Sequence, residues 1–136
     1  MANNKKSGSK EKVIKEYIDL LYMTPLTITA KDISNLFEAN KDFSVQLWED
    51  MNVLELELPN DNSIDFEPLD VNLKDPSDAA FVKNRNIQTI FALALCKTDL
   101  DTVIPLFNLL VEKFQGFVCA DTENFNPVYA GSSKKE

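Results

Sequence analysis

Between Asn52 and Asp70 the chain reads NVLELELPNDNSIDFEPLD, and its alternation leaves little conformational freedom. Leu54, Leu56 and Leu58 fall on one side of an extended strand, with Glu55 and Glu57 on the other. PNDNS is turn chemistry. Beyond it Ile64 and Phe66 face inward again, and Asp65 and Glu67 face outward. A helix would scatter these side chains around its circumference. The segment therefore predicts an antiparallel hairpin with one apolar face and one acidic face.

Val13, Ile14, Tyr17, Ile18 and Leu21 recur at three- and four-residue spacing, which predicts an amphipathic helix over Glu11–Tyr22, closed by Pro25. A second helix is expected over Lys31–Ala39, with Thr29 as its cap and Asp32 in its first turn. FSVQLWEDM fits a helix as well as a strand, and its neighbours favour the strand. VNLKDPSDAAFVKNRN reads as a long, partly irregular connection after Pro68.

IQTIFALALC is apolar on both faces and should lie centrally in a sheet. A helix over Asp101–Gln115 follows, with Val103, Ile104, Phe107, Leu110, Val111 and Phe114 as its core stripe and Gly116 as its stop. GFVCAD is another buried strand, and DTENFNPVY leaves the sheet as a loop.

Strand, helix and strand in that order make a β-α-β crossover, whereas the hairpin is antiparallel. Together they predict an α+β fold: a mixed, largely antiparallel sheet of four to five strands with helices packed on one face. A ferredoxin-like arrangement is one candidate. Its 136 residues suit one domain, expected over 11–129, between a basic arm at 1–10 and a tail at 130–136.

Composition removes many chemistries. With no histidine there is no Ser-His-Asp or Cys-His pair and no histidine-ligated metal. Three scattered glycines build neither a phosphate-cradling loop nor a dinucleotide fingerprint. Arg85 is the single arginine, which makes bidentate phosphate recognition scarce. Cys96 and Cys119 sit in apolar segments outside any CxxC and read as core. No cofactor is expected.

Charge is unevenly placed. Residues 1–15 carry five lysines and one acid, whereas residues 16–133 hold seven bases against twenty acids, a net of −13. From Asp42 to Asp78 there are eleven acids and one base, Lys74. Such a surface repels nucleic acid and anionic lipid and suits a basic protein or a cation. No apolar run reaches the ~20 residues of a membrane span, and no secretory pattern follows the first residues, so the expected compartment is cytoplasmic.

Glu55, Glu57, Asp65 and Glu67 are the candidate site, as a docking face for a basic protein; a solvated outer face and a divalent-metal site are the competing readings. Asp61 to Glu67 has oxygen side chains at every second position, as in a calcium loop, but Phe66 stands where that loop needs glycine, and a strand explains the pattern better. Asp99 and Asp101 are expected to complement the dipole and free N–H groups of the helix that follows. Asp121 and Glu123 follow a strand end, where turn formation is the simpler reading. Trp48 and Phe43 could form a partner-binding aromatic pair, but large aromatics mostly bury their area, so both are expected in the core.

The sequence thus suggests a non-enzymatic acidic interaction protein, in its most concrete version an antitoxin or immunity-type inhibitor. A carboxylate-based, divalent-metal-dependent hydrolase is one alternative. A structural homodimer formed through an uncovered sheet face is the other.

Overall fold

The computed structural model describes residues 15–40 and 43–133. The expected basic arm, residues 11–14 of the expected first helix, and 134–136 of the tail lie outside them. The elements run β1 (Tyr17–Thr24), α1 (Ala30–Glu38), β2 (Ser44–Trp48), a 3-10 turn at Glu49–Met51, β3 (Val53–Glu57) and β4 (Ser63–Leu69). There follow α2 (Pro76–Asn84), β5 (Thr89–Cys96), a 3-10 turn at Lys97–Asp99, α3 (Leu100–Phe114), β6 (Phe117–Ala120) and β7 (Val128–Gly131). The seven strands form one sheet in the order β2-β3-β4-β5-β1-β6-β7, with antiparallel neighbours throughout.

The α+β class is as the sequence predicts, but the sheet is larger and wholly antiparallel. β5 and β6 do run parallel and are joined by α3, yet β1 lies between them. With β2, β3, α2 and β7 set aside, β1, α1, β4, β5, α3 and β6 follow a β-α-β-β-α-β order.

Two of the seven strands are new relative to the sequence reading. β1 replaces the described part of the expected first helix. Leu20 and Tyr22 are buried on one face of it, Leu21 and Met23 on the other. A strand covered on both faces is apolar at consecutive positions, and such a run also satisfies a helical template. β7 takes Ala130 and Gly131 out of the expected tail and pairs them with β6. β4 continues through Pro68 to Leu69.

α2 lies inside the stretch read as a partly irregular connection. Its start is well signalled: Asp75 accepts from the N–H groups of Ser77 and Asp78, and Pro76 opens the first turn. Its periodicity is weak, because Val82 is its one fully buried residue. α1 carries the capping box that Thr29 and Asp32 predict. Pro105 sits in the second turn of α3, on its exposed side.

The helices do not share one face. Ile33 and Phe37 of α1 and Val103, Phe107 and Leu110 of α3 pack with Leu54, Leu56, Ile64, Phe66, Phe91 and Leu93. Each such buried side chain contributes about 1.5–3 kcal/mol relative to exposure. α2 lies on the opposite side, where Phe81 and Val82 join Met23, Ile90, Phe117, Cys119 and Phe125. Tyr22 Oη donates to the Gln115 carbonyl at 2.6 Å and Thr24 Oγ1 to that of Phe114 at 2.6 Å, which ties the end of α3 to β1. α2 and the 121–127 loop therefore cover one end of their sheet face. Over the other end, at β2, β3 and β4, no described helix packs.

Candidate functional site

That open end carries the acidic side of the hairpin. Ladder pairing joins Gln46 to Glu55, Glu55 to Asp65, Asp65 to Ala94 and Ala94 to Asp19. The Asp121 N–H donates to the Asp19 carbonyl at 3.2 Å and extends the same rank. One line across six strands or strand ends thus holds four carboxylates. Glu67 pairs with Ala92 one step along, and Glu57 with Ser63 on the other side. All four sequence-predicted residues, Glu55, Glu57, Asp65 and Glu67, lie on this face.

The carboxylates act on one another. Partial burial, then the charges of Glu55 and Glu67, holds the Asp65 carboxyl above its ordinary pKa. Burial, then the charges of Asp19 and Asp78, does the same to Asp121. Among the described residues the one ion pair is Lys31 with Glu49 at 3.7 Å, between two exposed side chains and off this rank. No described base is ion-paired with the rank.

Apolar residues border the acids. Trp48 pairs with Val53 at the sheet edge and is 44% exposed, and Met51 in the following 3-10 turn is 64% exposed. With Val53, Glu55, Asp65 and Glu67 they line an open cleft of about 270 Å³. Trp48 is thus at the surface rather than in the core, because β2 is an edge strand whose even-numbered residues point to the open side. Phe43 does pack against the core.

Both ends of the hairpin are clamped. Asn52, in the left-handed region at φ 57°, accepts from the Ala30 N–H at 2.6 Å and fixes the β2–β3 turn to the start of α1. At the other end the Asn60 and Asn62 side-chain amides each donate to the buried Asp99 carboxylate at 2.8 Å, and Lys15 donates to Asn62 Oδ1. Asp99 therefore makes no side-chain cap on α3, contrary to the reading from sequence. Asp101 does lie exposed in the first turn of that helix.

Asp19, Asp78 and Asp121 join the acidic surface unanticipated as a group. Asp19 belongs to the segment read as helix, Asp121 meets it through the sheet order, and Asp78 reaches Asp121 from α2. Glu123 lines a separate cleft with Asp75, Asp78 and Phe81. Among the described residues no three of histidine, cysteine, aspartate and glutamate are placed to hold a metal ion. Cys96 and Cys119 are buried and unpaired, as expected of core residues. No described helix is long and apolar enough to cross a membrane. Fold and site define an α+β protein with a carboxylate-ranked sheet face, one end of which no described helix covers. No family model, curated protein or solved structure matches the chain, so function is argued from this face alone.

Proposed function

We propose that the protein is a non-enzymatic interaction module whose open sheet face docks on a basic protein partner. The observation that carries this is the rank Glu55–Asp65–Ala94–Asp19–Asp121: like charges directly across a ladder oppose folding by a few tenths of a kcal/mol per pair, with no described base to offset them. Solubility needs acids on a surface, but not in register. A partner's lysines and arginines would relieve that repulsion on binding and be steered to the face by its field. An antitoxin or immunity-type inhibitor that covers a basic active site is the specific form this takes.

The test is capture from a lysate of the source cells, washed first at low and then at high salt. The comparison protein carries Glu55→Lys, Glu57→Lys, Asp65→Lys and Glu67→Lys. A basic protein held at low salt, released at high salt and missing from the variant is the expected result. The same proteins retained by both forms would reject the face as the binding site.

A further inference from the structure

We infer that the cleft bounded by Trp48, Met51 and Val53 on one side and by Glu55, Asp65 and Glu67 on the other is a subsite for one arginine side chain of the partner. This rests on the docking reading above and adds to it the residue type that the partner must present. The cleft joins two kinds of wall: an exposed indole with a thioether and a valine beside it, and three carboxylates, two of which pair directly across the ladder. At about 270 Å³ it is smaller than the ~300–1,000 Å³ of small-molecule sites and of a size for one side chain.

The occupant must satisfy both walls at once. An ammonium is compact and strongly hydrated, so it satisfies the carboxylates and gains little from the indole. A guanidinium is planar and weakly hydrated; its faces stack on an aromatic ring while its edge donates several hydrogen bonds to carboxylates. A neutral apolar side chain would leave the three acids desolvated without a counter-charge. A second copy of this chain offers the wrong sign over most of its surface, since residues 16–133 carry a net of −13. Charge complementarity thus selects a cation, and the Trp48–Met51 wall selects arginine among cations. Partial burial, then the charges of Glu55 and Glu67, raises the Asp65 pKa, and a bound cation would oppose both effects.

The experiment is isothermal titration of the whole protein with capped hexaarginine and with capped hexalysine, in wild type, Trp48→Leu and Trp48→Phe. Trp48 lies on an exposed edge, and a thermal melt of each variant verifies its fold. Wild type should bind hexaarginine about five-fold more tightly than hexalysine, as a cation–π contact of ~1 kcal/mol gives. Trp48→Leu should bring the two affinities together by weakening hexaarginine alone, and Trp48→Phe should keep part of the preference. Equal binding of both peptides by wild type, lost in the four-lysine variant, would overturn the subsite and leave the docking face standing. Binding of neither peptide would overturn the subsite and the docking reading together.

Discussion

Asn62 donates its side-chain amide to the Asp99 carboxylate at 2.8 Å and so joins the tip of the β3–β4 hairpin to the entry of α3. Asn60 donates to the other carboxylate oxygen at the same distance. Asp99 is 3% exposed, so both amides depend on it and water cannot easily replace it. Asp99→Ala should lower stability by about 3 kcal/mol, the scale of removing a charged acceptor from two donors. Urea denaturation should show an earlier midpoint with an unchanged slope. A loss below about 1 kcal/mol would mean that the hairpin is held by its core face alone.

Gly116 is the position where the backbone tolerates least. Its φ is +83°, and a Cβ built there would lie 1.9 Å from the Met23 carbonyl oxygen. That neighbour is main chain inside β1 and has no rotamer to change. Gly116→Ala is expected to cost about 3 kcal/mol or more, from overpacking and the left-handed backbone together. A melting temperature within a few degrees of wild type would contradict it.

The Asp65 carboxyl opposes folding less as the pH is lowered mildly. Asp65 has a raised pKa in the folded protein, so between that value and the ordinary 3.8 the native state binds more protons than the unfolded chain. Its charge therefore costs stability at neutral pH; the cost shrinks as pH falls through the folded pKa and is gone below the ordinary 3.8. Asp65→Asn should be about 0.5 kcal/mol more stable than wild type near neutrality, with the gap closing at acid pH. Paired urea titrations across that range isolate this one group. A gap that widens on acidification would reverse the sign argued here.

Cys119 is fully buried, and burial, with the Asp121 charge second, pushes its thiol up to about 12. Cys96 is also buried, and neither residue forms a disulfide. A disulfide-exchange reagent at mildly alkaline pH should therefore label neither thiol in the folded protein and both in urea. Rapid labelling of Cys119 without denaturant would show that the β1–β6 region opens far more readily than its packing implies.

The hairpin was legible from Asn52 to Asp70 because strand alternation is a local property. Leu54 and Glu55 must point apart whatever else the chain does, and the turn between them and Asp65 sets the pairing. The capping box at Thr29 and the buried stripe of α3 were legible for the same reason. β1 was not, since two covers give one strand apolar residues on both sides, and only the sheet order reveals the second cover. α2 announces its start with Asp75 and Pro76 but buries too little to show a period.

The sequence by itself determined that Glu55, Glu57, Asp65 and Glu67 share a face and that this face is acidic. Tertiary structure alone decided that Asp19 and Asp121 continue the rank, that α2 covers one end of that sheet face and leaves the other open, and that Trp48 stands exposed at its edge. Alternation is fixed by the geometry of successive residues. Which strands become neighbours, and which strand has none on its outer side, is fixed by the packing of the whole sheet.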